Sequence, residues 1–188
     1  MAQSFQRGPR KCQRRPSFWK TKKARMSRSK VKTMIIVFFD SRGIVHKEFV
    51  PPGMTVNQAF YRDLMERLRK RVQRLRSDIA DDWVLHHDNA PAHTALSIRE
   101  FLAKKNIPVL PHPPYSPDLA PCDFYLFPKL KLKLKGHHFG TMENIQKTVT
   151  DELHTLMEND FWYCYDQCKK RWNRCVTSQG PYFEGDNL

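Results

Sequence analysis

A switch in apolar period between residues 34 and 76 constrains this chain more than any other feature. The run Met34-Ile35-Ile36-Val37-Phe38-Phe39 is β-branched and aromatic, Asp40-Ser41-Arg42-Gly43 interrupts it, and Ile44 through Val50 resumes it. That pattern predicts a β-hairpin in which glycine supplies the positive φ of the turn, ended by Pro51-Pro52-Gly53. From about 56 to 76 the period lengthens. Phe60, Leu64, Leu68, Val72 and Leu75 recur at steps of four or three, the apolar stripe of an amphipathic helix. The opposite helix face carries Arg62, Arg67, Arg69, Lys70, Arg71, Arg74 and Arg76, read either as solvent surface or as a DNA contact.

The same reading continues toward the C-terminus. A short strand, Trp83 to His87, ends in Asp88-Asn89-Ala90-Pro91. A helix follows from about His93 to Lys105, with Leu96, Phe101 and Leu102 inward and Asn106 as its stop. Ile107 to Leu110 makes a last strand, placed by its proline at an edge or a strand start. A proline-rich loop, Pro111 to Pro121, then delivers Cys122-Asp123-Phe124-Tyr125-Leu126-Phe127. The alternating Lys129 to Lys135 suits either a half-buried strand or a helix. Helix is favoured, because lysine and leucine both form helices and Pro128 is tolerated at a first turn. Two further helices, near 142–157 and 160–176, complete a mixed α/β fold.

Asp88 stands where a strand ends, a rigid and accessible place for a ligand site on an α/β sheet. A carboxylate there can hold Mg²⁺, whose hard charge prefers oxygen ligands. It can equally cap the helix that follows. Asp118 and Asp123 compete as its partner. Asp118, in Ser116-Pro117-Asp118, looks like turn chemistry, whereas Asp123 opens an apolar helical segment whose packing would fix its direction. His86, His87, His93 and His112 flank these acids and are expected to support or pack rather than ligate.

Charge names a partner class. Net charge is +14, with twelve Lys or Arg residues and no acid before Asp40, so polyanions are attracted. Residues 1–30 lack apolar spacing and read as a disordered basic arm, either a phosphate-binding arm or a solvated tail. Lys22, Lys23, Arg25, Arg28, Lys30 and Lys32 are its nucleic-acid-binding candidates. No uninterrupted apolar run approaches the roughly 18 residues of a membrane span, and the N-terminus does not read as a secretory signal. Cys12, Cys122, Cys164, Cys168 and Cys175 form no tight framework; reduced thiols in cytosol or nucleus are expected, and a zinc set with His154 is not. Trp162, Tyr163 and Trp172, at helical spacing, are expected in the core rather than as a base-stacking platform.

Two motifs in order carry a resemblance. His87-Asp88-Asn89-Ala90-Pro91-Ala92-His93 and Pro114-Tyr115-Ser116-Pro117-Asp118-Leu119-Ala120-Pro121-Cys122-Asp123 resemble the mariner branch of the Tc1/mariner transposases. Thirty-four residues separate Asp88 from Asp123, the interval between the last two of the family's three catalytic aspartates. Asp118 falls short of it and becomes a structural acid of the loop. The likeness extends from about Lys22 to Asp186, through Val37-Phe38-Phe39-Asp40, the Pro52-Gly53 turn, Arg171-Trp172-Asn173-Arg174-Cys175 and Gly180 to Asp186.

The resemblance implies an RNase H-like α/β fold, a mixed sheet flanked by helices, over residues 31–188. It implies DNA cleavage and integration by two-metal phosphoryl transfer, with Mg²⁺ or Mn²⁺ held by Asp88 and Asp123 as catalytic and metal-binding residues. DNA is the expected partner, a homodimer is a further one, neither membrane nor small-molecule substrate is expected, and the expected compartment is the nucleus. In this family the first aspartate lies on the central strand, upstream of the hairpin, in a Gly-Asp-Glu context. Nothing before Asp40 matches it, and Asp40 itself falls at the strand turn. The expectation is an N-terminally truncated domain lacking its central first strand, with two open sheet edges and no catalysis as it stands. A non-enzymatic, co-opted DNA-binding or assembly module is the alternative. Within the family such domains occur fused to a histone-methyltransferase SET domain. The 188 residues leave no length for one, and methyltransferase activity is not expected.

Overall fold

A computed structural model of the chain describes residues 32–178. The basic arm, with Lys22, Lys23, Arg25, Arg28 and Lys30, and the Gly180 to Asp186 segment lie outside the described residues; Lys32 is exposed. The elements, in order, are β1 (Met34–Asp40), β2 (Gly43–Val50), α1 (Gln58–Leu75), β3 (Leu85–His86), α2 (Pro91–Thr94), α3 (Leu96–Lys104), β4 (Val109–Leu110), α4 (Phe127–Leu134), α5 (Met142–His154) and α6 (Glu158–Thr177). Among the described residues no helix is long and apolar enough to cross a membrane.

The hairpin forms as expected, with Gly43 at φ +136°. It lies between two cores. Ile36 and Phe38 point to a cluster built on α1 and α3 through Tyr61, Leu64, Met65, Leu68, Val72, Ile98 and Leu102. Ile35, Val37 and Phe39 point the other way, to Leu126, Leu130, Val149 and Leu153. Strand alternation alone explains this division along β1. On β2 it is maintained by a bulge. Phe38 pairs with His46 and Phe39 with Ile44, so Val45 is the extra residue and turns toward the α1 core while Ile44 faces the other.

Asn57 caps α1, its side chain accepting from the Phe60 amide at 2.9 Å, a contact worth about 1 kcal/mol. The apolar stripe of α1 is rotated from the sequence expectation. Tyr61 and Met65 are buried with Leu64, Leu68 and Val72, and Leu75 is exposed. Several of its arginines fasten the hairpin instead of facing solvent alone. Arg67 makes a two-pronged pair with Glu48 and Arg76 another with Asp40, while Arg71 donates to the Val45 carbonyl. Asp40 is thus a structural anchor.

The helix expected over 93–105 is broken in two. Ala95 is extended (φ −55°, ψ 143°), which resets the helical phase. Ile98 and Leu102 then take the buried positions, and Leu96, expected inward, is 71% exposed. The strand expected over 83–87 shortens to Leu85–His86, which pairs parallel with Val109–Leu110. Residues 127–134 are helical, with Pro128 in the first turn. On α6, Trp162 and Tyr163 are half exposed instead of core, because Phe161 and Cys164 take the inward positions of that turn; Trp172 is partly buried.

The hairpin and the β3–β4 pair are separate two-stranded sheets. Among the described residues no strand joins them, so β1 and β3 each keep one edge without a strand partner.

A two-carboxylate cleft at the strand ends

Asp88 leaves β3 one residue after His87 and is oriented by its own loop. Its Oδ1 accepts from the Ala90 amide at 3.1 Å and from His93 Nδ1 at 2.6 Å. Helix α2 is capped by Ala90, so the bond from Asp88 is a turn contact and not the helix cap its position allowed. Asn89 braces the loop from the far side, donating to the His112 carbonyl at 2.7 Å. The hydrogen bond from His93, followed by that from Ala90, outweighs desolvation and holds the Asp88 carboxyl down at about 2.

Asp123 is delivered differently. Cys122–Leu126 is a single π-helical turn running into α4, a local geometry frequent at functional sites. Fully buried Leu126 anchors it below. From the side, α6 holds it twice: the Arg171 guanidinium lies 4.4 Å from the Phe124 ring, and Asp160 takes bonds from the Tyr125 hydroxyl and Lys129. Arg171 also donates to the Asp118 carbonyl at 3.3 Å.

Asp88 and Asp123 line one open cleft of about 370 Å³, with Asn89, His112, Tyr115 and Ser116 among its walls. Asp118 is not among the lining residues; it belongs to a short 3₁₀ turn, Pro117–Leu119. Asp40 is not among them either. Burial and then the charge of Asp88 raise the Asp123 carboxyl, with Lys131 and His112 partly offsetting them. Two like charges facing one space, one of them penalised by the other, make a donor set that a divalent cation would relieve. No group of three or more His, Cys, Asp or Glu suited to a metal ion occurs among the described residues.

The histidines are more organised than the sequence suggested. His87 Nδ1 lies 2.8 Å from the Tyr61 hydroxyl, and the His93 ring packs tilted against Tyr61 with centroids 4.0 Å apart. His86 Nε2 and His112 Nδ1 are 3.0 Å apart. Burial, then neighbouring His93, lowers His87 to about 4, so it is neutral near pH 7. A histidine five residues after the acid, across a proline turn, is the one signal that could have singled out this contact.

The two acids should affect stability with opposite sign. Asp88 is lowered from 3.8 to about 2, so its contribution is present above pH 4 and lost as pH falls toward 2. Asp123 is raised, so folding is favoured while it is protonated and weakened as pH rises through its folded pKa. At pH 7, Asp123→Asn therefore raises the melting temperature and Asp88→Asn lowers it. Thermal melts showing the same sign for both would contradict this electrostatic account.

Comparison with known proteins agrees with the geometry. Residues 14–81 match a family model described as transposase (partial DDE domain). The chain is 37% identical over 168 residues to the mariner Mos1 transposase of Drosophila mauritiana, covering 87% of this chain and 48% of that one. It is 29% identical over 155 residues to the human histone-lysine N-methyltransferase SETMAR, covering 81% of this chain and 23% of SETMAR. It therefore spans about half the length of the first relative and less of the second. The solved Mos1 catalytic domain with raltegravir and Mg superposes with a TM-score of 0.76 at 36% identity, covering 81% of this chain and 77% of that one. A pre-cleavage Mos1 transpososome gives 0.82 at 35% identity, covering 93% and 52%. This chain belongs to the mariner family of transposases, and its cleft lies in an RNase H-like catalytic domain.

Proposed function

We propose that the cleft is a divalent-cation site for phosphoryl transfer on DNA, and that the 188-residue polypeptide alone binds DNA without cutting it. The convergence of Asp88 and Asp123 on one space, with no third acid beside them among the described residues, carries this reading. Mg²⁺ or Mn²⁺ held there would supply an activated water or 3′-hydroxyl and charge stabilisation at the leaving oxygen. Asp88 presents one oxygen already oriented by His93 and Ala90, and Asp123 faces it from the π turn. A two-metal reaction would draw on more carboxylate ligands than the two acids that line this cleft among the described residues. Hence the inactivity.

DNA is the proposed partner. The basic charge supports it, as do the Mos1 relatives solved as paired-end and pre-cleavage complexes. Lys22, Lys23, Arg25, Arg28, Lys30 and Lys32 are the proposed phosphate contacts, a homodimer the proposed assembly and the nucleus the proposed compartment. A purified chain should nick supercoiled DNA in Mg²⁺ or Mn²⁺ no faster than its Asp88→Ala variant; robust cleavage would overturn the inactivity. Charge also supports a second reading, a co-opted, non-enzymatic DNA-binding or assembly module. Both readings require affinity to fall steeply between 50 and 200 mM salt in a gel shift, since phosphate contacts release counterions. Salt-independent binding would sink them together. Mn²⁺ binding that Asp88→Ala abolishes separates them, because a purely non-enzymatic module has no use for Mn²⁺ at that cleft.

A further inference from the structure

We infer that His93 is a positioning residue which, seated on Tyr61 and His87, makes Asp88 a one-oxygen ligand. This rests on the reading of Asp88 as a cation ligand. Both hydrogen bonds to the carboxylate converge on Oδ1, from Ala90 at 3.1 Å and His93 at 2.6 Å. Oδ2 has no hydrogen-bond partner among the described residues and belongs to a carboxylate that lines the cleft. An ionised carboxylate only accepts, so Nδ1 of His93 carries the hydrogen and the ring orientation is set by that bond.

The ring is fixed from behind as well. It packs against Tyr61, tilted by 32° with centroids 4.0 Å apart, and stacks parallel to His87, 5.2 Å between centroids and 6° between planes. Tyr61 is 1% exposed and sits in the α1 core, with its hydroxyl on His87 Nδ1. A rigid path thus runs from the hydrophobic core, through two stacked imidazoles, to a single carboxylate oxygen. Without the histidine, Asp88 could rotate and offer both oxygens or neither. The break at Ala95 matters here, since α2 is a separate four-residue turn that carries His93 at its own angle.

Two substitutions separate donor from packing. His93→Phe keeps a ring for Tyr61 to stack on and removes the N–H. His93→Asn loses the ring, and its amide nitrogen can stand near the position of Nδ1. Mn²⁺ binding to the full chain, read by the loss of the free-ion EPR signal, should weaken about 10–100-fold in His93→Phe, the usual cost of removing a hydrogen bond behind a metal ligand. His93→Asn should stay near wild type, with circular dichroism confirming that each variant is folded. Equal binding by His93→Phe and wild type, or equal weakening of the Asn and Phe variants, would overturn the inference. Asp88→Asn is the control for the underlying reading: if it binds Mn²⁺ as wild type does, Asp88 is not the ligand and that reading fails first.

Discussion

Supplying a strand with a Gly-Asp-Glu sequence ahead of Lys32 should raise metal-dependent nicking by at least about 10³-fold over the 188-residue chain. A bound metal contributes several kcal/mol of transition-state stabilisation, and 1.4 kcal/mol is a factor of ten. Roughly 4 kcal/mol is therefore a floor for restoring the missing ligand. Among the described residues β1 pairs with β2 alone and β3 with β4 alone, so β1 and β3 each keep one edge open. A strand bonded to both edges would join the two sheets. The matched control carries Gly-Asn-Glu. It gains the same hydrogen bonds and the same protection of edges that otherwise invite aggregation, and should melt at the same temperature. Only the aspartate version should nick, and only while Asp88 and Asp123 are intact. Equal nicking by the Asn version would place the chemistry elsewhere.

Local rules made parts of this molecule legible and hid others. The hairpin announced itself by an unbroken β-branched and aromatic run, which suits a strand packed on both faces, and α1 by a 3.6 period dictated by burial on one side. The helix over 127–134 was readable from propensity and Pro128 despite its alternating pattern. The apolar helical segment that Asp123 opens favoured it over Asp118 only slightly, and the family interval decided between them. The bulge at Val45 could not be read, because its cause lies in the core that receives the extra residue. Nor could the break at Ala95, where alanine has no preference for extended backbone and the phase shift is set by tertiary packing. Exposure on α6 misled for a related reason. Four aromatics in five residues, Phe161, Trp162, Tyr163 and Tyr165, cannot all face one side of a helix, and only Phe161 is buried, against Phe39. Of the four histidines near the acids, the sequence marked proximity alone; the packing of His87 and His93 against Tyr61 depends on how α1 is rotated.

Leu126→Ala should be among the most destabilising single substitutions in this chain, and it tests how the site depends on the core. Leu126 is fully buried and packs with Val37, Leu130, Val149 and Leu153, so it links the hairpin to both α4 and α5. Truncating a buried leucine costs about 2–5 kcal/mol, set by how far the surroundings collapse into the cavity. Domains of this size are stable by only about 5–15 kcal/mol, so the loss is a large fraction of the whole. A fall in melting temperature of roughly 5–20 °C follows for a domain of this length. Leu132→Ala on α4, into which the π turn runs, is the comparison, because Leu132 is 72% exposed and should change stability by no more than about 0.5 kcal/mol. The damage should also reach the cleft. Leu126 ends the π turn that Asp123 occupies, and that turn is held at its sides by Arg171 on Phe124 and by Asp160 on Tyr125. Removing the floor while leaving the sides lets the turn relax toward an ordinary α-helix, which rotates Asp123 relative to Asp88. The penalty that Asp88 imposes on the Asp123 carboxyl should then shrink, and its titration, followed by the side-chain carbon resonance, should move down toward the ordinary aspartate range. If Leu126→Ala melts with Leu132→Ala and leaves that titration unchanged, the π turn is held by its flanking contacts alone and the core has no part in aiming the acid.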